Sequence, residues 1–492
     1  MRISEFQICS QDPDAHCGDV FHRLDSKRAT IFVAIAFGAF ALRSVWLFRA
    51  GSVWAMQQPD STQYLELAQG FLHGCGFARW SQGVCYARET FRTPVYPAMI
   101  AMFGGRWRWV LATQAVMGAS LTLMVALFTF YRFGVRAAIF AEAVVAADVP
   151  SILATKEVIT EGLFQTLLGC SVLMILASAT SSNSDRTAAV RTSFGGGLLA
   201  AATLVRPVGE VLLPFLWLPF FFSATLTTRR RLVLIGLTTL AAASPLCCWS
   251  ARNRIETKVW TLSTVSQWNF FYYAAPGVLH AAGEGDLEII RRDLALRLAT
   301  ALQSSSVAQG YYGGDKSPTP EVLREALEIE PRLGSLMYRP YRKAVWDYPF
   351  IAAKLCFVGF FHLAMLPYSP GVGFRGLLRG ESGPSVLPLS RNAGLIFHLV
   401  ILTAIIFQSM LLIWVWCGVL LAQLAAWRLG FCPYTTIVIT LTIYAMILLA
   451  VASPFFENWD LRFRTPAIPF LAIVGSLGWL SFIEPQYEQS ND

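Results

Sequence analysis

The sequence predicts an all-α polytopic membrane protein, and three observations predict it. Hydrophobic residues make up 55% of the 492 positions and charged residues only 14%, whereas soluble domains carry roughly 25% charged residues. Mean hydropathy is +0.50. Apolar runs recur along the chain at about the 20-residue length that crosses a hydrocarbon core. Length alone would suggest several soluble domains; the apolar pattern instead predicts one helical membrane domain with extracytoplasmic helical loops. The net charge of +8 fits Lys and Arg gathered at cytoplasmic helix ends. Neither zinc-finger spacing nor a basic–aromatic strip is present, so the composition gives no support to a nucleic-acid partner.

Residues 1–28 are polar and carry Asp12, Asp14, Asp19 and Asp25. They do not read as a signal peptide, so they form a cytoplasmic tail and the next apolar run is a retained span. The candidate spans are 29–49, 107–130, 136–154, 158–178, 193–205, 208–223, 232–250, 349–367, 394–424, 434–453 and 466–483. The shorter run 94–104 reads as a juxtamembrane helix or a tilted span. The run 394–424 is long for one helix and short for two, so the expected bundle has about 10–13 transmembrane helices.

Charge sets the orientation. Lys27-Arg28, Arg132 with Arg136, and Arg229-Arg230-Arg231 mark cytoplasmic ends, by the positive-inside tendency. Alternation places 50–106, the turn at 155–160, the Arg206-Pro207 turn and the 251–348 loop on the far side. The last is the one sizeable polar region. Within it, 284–303 and 320–330 repeat apolar residues at helical spacing. Glu284 and Asp286 suit a helix start, as does Pro320. Ser304 to Pro320 is rich in Gly, Ser and Pro and reads as a loop. A C-terminal membrane region, 349–492, completes the organisation. Of the ten cysteines, Cys170, Cys247, Cys248, Cys356 and Cys417 lie in apolar runs and read as small hydrophobes. Cys75 and Cys85 share the first far-side loop. They bridge if that loop faces an oxidising compartment, and otherwise stand as two free thiols.

The polar residues on the far side are the candidates for chemistry. Asp60 follows the first span. A carboxylate there can take a proton as a general base; it can equally cap the helix that STQYLELAQGFL predicts. Glu161 lies at the far-side entry to a span, where an ionisable group is a functional hypothesis by default; the plainer role is an ion-pair partner for Lys156 or an arginine. Arg92, Arg206, Arg252 and Arg254 could hold an anion with their bidentate forks, as could Arg462 and Arg464 if the last loop faces the same side. The alternative for each is snorkelling to the interface, and for Arg254 that alternative is favoured. Trp249, Trp260, Trp268, Phe270, Phe271, Tyr272 and Tyr273 form an interfacial belt, in which one or two rings could stack on a sugar. The six histidines show no HExxH or paired spacing. Gly195-Gly196-Gly197 lacks the Gly-Lys-Ser/Thr of a phosphate loop and reads as helix packing.

In order, these motifs resemble the GT-C membrane glycosyltransferases. The likeness is to the branch with the dolichyl-phosphate-mannose protein mannosyltransferases and the lipid A aminoarabinose transferase. The resemblance runs from about 30 to 275 and weakly again over 455–475. An acidic residue opens the first outer loop, followed by a Tyr and a Leu-Ala pair: Asp60, Tyr64, Leu67 and Ala68. Arg92 precedes a Pro–Tyr–Pro-like segment of Pro94, Tyr96 and Pro97. Thr160-Glu161, Arg206-Pro207, Trp249 with Arg252-Asn253, and Arg462-Phe463-Arg464 with Pro466 continue the series.

The resemblance implies a GT-C-like module over 29–250, with 50–106 as its catalytic loop. It implies transfer of a sugar from a polyprenyl-phosphate-linked donor to a lipid, glycan or protein acceptor on the extracytoplasmic face, periplasmic in a bacterial inner membrane. Asp60 and Glu161 would be the catalytic carboxylates, with Asp60 as base or acceptor positioner. Tyr64, Arg92, Arg206, Arg252 and Asn253 would bind substrate or phosphate. Spans 94–130 and 208–250 would form the groove for the prenyl tail. The family often has a second acidic residue beside the first; here Ser61 follows Asp60, which weakens the case for a divalent metal there. The rival function is a lipid or amphiphile transporter. Such proteins commonly show internal repeats, and the sequence shows none.

Overall fold

The computed structural model describes residues 25–49, 59–81, 83–180, 184–302, 320–366, 391–430, 432–454 and 461–483. Most of the expected tail 1–28 and nearly all of the loop Ser304 to Pro320 lie outside the described residues. In chain order the helices begin with α1 (Ser26–Arg49) and α2 (Pro59–Leu72). A hairpin of β1 (Ala78–Ser81) and β2 (Val84–Arg88) follows. Then come α3 (Val95–Met102), α4 (Trp107–Phe133), α5 (Val135–Ala147), α6 (Val149–Ala154), α7 (Glu161–Ala179) and α8 (Asp185–Thr203). A 3₁₀ segment (Pro207–Phe215) leads to α9 (Leu218–Phe222) and α10 (Thr228–Thr257). The polar region holds α11 (Val265–Asn269), a π-helical turn (Phe270–Ala274), α12 (Ala275–Ala281), α13 (Leu287–Leu302) and α14 (Pro320–Asp347). The C-terminal part comprises α15 (Pro349–Met365), α16 (Arg391–Leu429), α17 (Pro433–Ala452), a 3₁₀ turn (Leu461–Ala467) and α18 (Ile468–Ile483).

The predicted class holds: the chain is an integral, multi-pass helical membrane protein. Among the described residues seven helices are long and apolar enough to cross a bilayer, or eight if the pair α14–α15, bent by 103°, counts as one span. The remaining apolar runs are helical too, but shorter or interrupted. The run 136–154 breaks at Asp148, whose extended backbone and side chain cap the next helix at Ser151 N. The run 208–223 carries Pro214 inside its 3₁₀ segment, where a missing N–H prevents a continuous α-helix. The run 394–424 is part of one long helix, α16.

The core is a membrane bundle in which α18 is buried along most of its length. It approaches α16 so closely that a Cβ on Gly478 would collide with the Gly418 carbonyl. Backbone contact of this kind is how membrane helices associate when no hydrophobic drive separates lipid from protein. Between α1 and α4, Arg43 takes the room that Gly118 leaves empty: a Cβ there would sit 2.6 Å from the Arg43 Nε. Arg43 donates to the carbonyls of Ala39, Val145 and Ala146. A buried cation thereby finds acceptors where water is absent.

The segment between α1 and α3 is stiffened twice. Cys75 and Cys85 form a disulfide with Cα atoms 5.9 Å apart, which resolves the two sequence readings in favour of the bridge. Arg79, 1% exposed, pairs with Glu89 at 2.7 Å. The Glu89 carboxylate also accepts from the Phe91 N–H at 2.6 Å, so the hairpin fixes the backbone that leads into Arg92.

Candidate functional site

Four segments far apart in sequence converge at one end of the bundle. Pro59 starts α2, an accepted first helical position, and Asp60 lies in the first turn, where a carboxylate suits the helix dipole. Helical spacing then puts Gln63 and Tyr64 on the face of Asp60. The Arg92 guanidinium lies across all three: it ion-pairs with Asp60, donates from Nε to Gln63 at 2.8 Å and from Nη1 to the Tyr64 hydroxyl at 3.4 Å. It also stacks over the rings of Tyr64 and Phe91, at 5.1 and 4.7 Å.

Glu161 opens α7. Its Oε1 receives Arg206, and Arg462 Nε lies 3.4 Å from the same oxygen. Arg206 is extended because Pro207 follows it, as the residue before a proline tends to be. The two guanidiniums flank the Phe463 ring at 5.3 and 5.4 Å. Arg462 and Arg464 diverge because a 3₁₀ helix turns about 120° per residue. Arg462 faces Glu161, while Arg464 is fully buried, donates to the carbonyls of Leu363 and Leu366 and lies 4.0 Å from Asp148.

Hydrogen bonds to backbone carbonyls hold these segments together. Val95 N donates to Leu204 O and Thr93 Oγ1 to Val205 O at 3.0 Å, tying the Arg92 loop to the Arg206 turn. Gln165 Nε2 donates to Thr465 O at 2.7 Å, tying α7 to the Arg462 turn. Ser263 Oγ donates to Phe91 O at 2.6 Å, bringing the polar region against the same loop.

Electrostatics make the groups one cluster. Burial pushes the Asp60 carboxyl up, but the guanidiniums of Arg92, Arg462 and Arg206 together hold it below the usual carboxylate range. Burial works against the charged Arg92, yet Asp60 raises it above its ordinary value. Burial raises the Tyr64 phenol, which remains a neutral donor and acceptor. Two carboxylates face three guanidiniums, an excess of one positive charge. The side chains are partly open: Asp60 is 33% exposed and the three arginines 11–19%.

Of the sequence candidates, Asp60, Tyr64, Arg92, Glu161 and Arg206 come together. Arg252 and Asn253 are engaged behind the loop. Arg252 donates to the carbonyls of Glu89 and Phe77, and Asn253 to those of Thr261 and Leu262 at 2.9 and 3.1 Å. Gln63 and the Arg79–Glu89 brace are additions to the sequence candidates, whereas Phe463 stands in the Arg462-Phe463-Arg464 motif already named. The spacing of Asp60, Gln63 and Tyr64 along a helix is a usable signal for Gln63; the brace carries none. A divalent metal does not fit the donor set. Each carboxylate is engaged by guanidinium, and among the described residues no group of three or more His, Cys, Asp or Glu could hold an ion.

No family profile and no curated protein sequence matches the chain. The solved structures to which it is similar include two of the oligosaccharyltransferase of Archaeoglobus fulgidus. One is the complex with Zn and sulfate (14% identity, 92% of this chain and 49% of that one, TM-score 0.42). The other is AglB with an inhibitory peptide and a dolichol-phosphate (12%, 93% and 51%, TM-score 0.43). A third is ArnT from Cupriavidus metallidurans bound to undecaprenyl phosphate (15%, 95% and 82%, TM-score 0.38). The chain spans about half the length of the oligosaccharyltransferase.

Proposed function

We propose that this chain is an integral membrane glycosyltransferase. It would move a hexosyl or pentosyl group from a polyprenyl-phosphate donor to a lipid, glycan or protein acceptor at the extracytoplasmic face, the periplasmic side of a bacterial inner membrane. One observation supports the reading: the Asp60–Arg92 pair and the Glu161–Arg206–Arg462 triad form one electrostatically coupled, partly exposed cluster with an excess of positive charge. Such a cluster suits a phosphodiester headgroup, and guanidinium forks bind phosphate bidentately.

The reaction is an in-line displacement with inversion. The acceptor hydroxyl oxygen bonds to the anomeric carbon as the bond from that carbon to the phosphate oxygen breaks. The electron pair leaves with the polyprenyl phosphate, whose growing charge Arg92, Arg206 and Arg462 stabilise, the type of term that dominates many enzymes. The hydroxyl proton passes to Asp60. A carboxylate held low by Arg92 is a weak base, because general bases work best near the operating pH. Donor phosphate competing for Arg92 releases Asp60 and restores its basicity, so donor binding arms the base. Glu161 keeps Arg206 and Arg462 together, and Tyr64 and Gln63 orient Arg92.

The test is transfer of radiolabelled sugar from a synthetic polyprenyl-phosphate donor by the protein in nanodiscs. It is paired with lipid and glycan profiles of cells with and without the gene. A product lighter by one sugar in the deleted strain supports the proposal and identifies the acceptor. Undiminished transfer by Asp60→Asn removes Asp60 from the base role. Identical profiles in both strains, together with no transfer to any cellular lipid or glycan fraction, reject the activity.

A further inference from the structure

The elbow between α14 and α15 carries a pattern that the site above does not use. Arg339, Arg342, Lys343 and Trp346 recur at helical spacing, so they share one face of α14. All four are exposed, Trp346 at 85%. The opposite face, with Leu333, Met337 and Ala344, is buried. Just past the 103° bend, Phe350 is 88% exposed. From it a ridge of Phe357, Phe361 and Met365 continues along α15, also exposed. Lys343 pairs with Asp347. Among the described residues neither Arg339 nor Arg342 has an ion-pair partner. The elbow encloses a shallow recess of about 620 Å³ lined by Tyr341, Arg342, Val345, Trp346 and Pro349.

We propose that this elbow is a binding site for an anionic phospholipid of the surrounding bilayer. The headgroup phosphate lies on Arg339 and Arg342, and the upper acyl carbons lie in the recess against Val345 and Trp346, beside the exposed Phe350. Exposed tryptophan and phenylalanine beside cations, on an amphipathic helix that leads into an apolar one, is the chemistry of the headgroup boundary. A water-facing surface would not keep Phe350 and the α15 ridge uncovered. Without an ion-pair partner among the described residues, the guanidiniums of Arg339 and Arg342 select an anionic headgroup over a zwitterionic one.

Quenching by brominated lipid tests this on the full chain in nanodiscs. The Trp346 signal is the difference between wild type and Trp346→Phe. Brominated phosphatidylglycerol is expected to quench it more strongly than brominated phosphatidylcholine at equal mole fraction. Each cation near an anionic lipid surface contributes roughly fivefold, so Arg339→Gln or Arg342→Gln should cut the preference several-fold. The double variant should abolish it, and Arg342→Lys should retain it. Equal quenching by the two lipids, or none by either, overturns the proposal. Excess inorganic phosphate is expected to leave the preference intact; if it erases the preference, the cations bind free phosphate and the lipid site is rejected. Sugar transfer is not read here, so a negative result leaves the proposed function standing.

Discussion

Two charge clusters lie near one another in the bundle and differ in what satisfies them. In the open cluster, Arg92, Arg206 and Arg462 rest on the carboxylates of Asp60 and Glu161 and keep 11–19% of their side-chain surface exposed. In the closed one, Arg464 and Asp148 are fully buried and Arg43 is 3% exposed. There the arginines point into backbone carbonyls, Asp148 caps Ser151, and Gln408 donates to Asp148 at 2.9 Å. A carboxylate partner can be exchanged for a phosphate, because both are mobile anions to a guanidinium. A ring of helix-end carbonyls cannot. Arginines two positions apart thus do different work: one can trade partners, and the other locks the turn that carries it.

The sharpest way to separate the clusters is to remove one charge from each. Asp60→Asn should lower turnover by about 10²–10⁴-fold, the usual weight of a general base, with a melting temperature in detergent lowered only by the modest contribution of the Asp60–Arg92 pair, too little to account for the lost turnover. A fall in melting temperature that accounts for the lost turnover would turn the open cluster into a second structural lock. Arg464→Ala should do the reverse. Breaking a buried ion pair costs about 3–5 kcal/mol, to be seen as an earlier denaturation midpoint and poor membrane insertion. A stable Arg464→Ala protein would show that the carbonyls, rather than Asp148, carry the junction.

Arg92→Ala comes next. Hydrogen bonds to charged groups are worth about 1.5–3 kcal/mol, so apparent donor affinity should weaken by roughly ten- to a hundredfold, measured as a rise in donor KM. The smallest effect concerns pH. Arg92 and its neighbours hold Asp60 low despite burial. The contribution of the pair to stability is therefore complete above the unfolded carboxylate value of about 3.9. It is lost only as pH falls through the lower folded value. The difference in melting temperature between wild type and Asp60→Asn should be flat from neutral pH down to about 5. A step centred near pH 6 would mean that Asp60 is not held by Arg92.

Much of this was legible in the chain. Apolar run lengths give the class, and the positive-inside tendency put Asp60, Arg92, Glu161 and Arg206 on one face before any contact was known. Other features depend on geometry that no local pattern encodes. Pro214 and the Asp148-Val149-Pro150 break interrupt runs that hydropathy reads as continuous. The fate of Arg252 depends on two carbonyls, Phe77 and Glu89, that lie more than 160 residues away. The divergence of Arg462 and Arg464 follows from a 3₁₀ turn whose pitch the residue types do not announce.

The fit of Arg43 into the space over Gly118 links two positions on different helices by volume. Related chains should change them as a couple: a methyl group at the glycine calls for a shorter partner on the first helix, which would surrender the carbonyls of Val145 and Ala146. Pairing tolerated substitutions at these two sites would therefore map helix proximity without a structure.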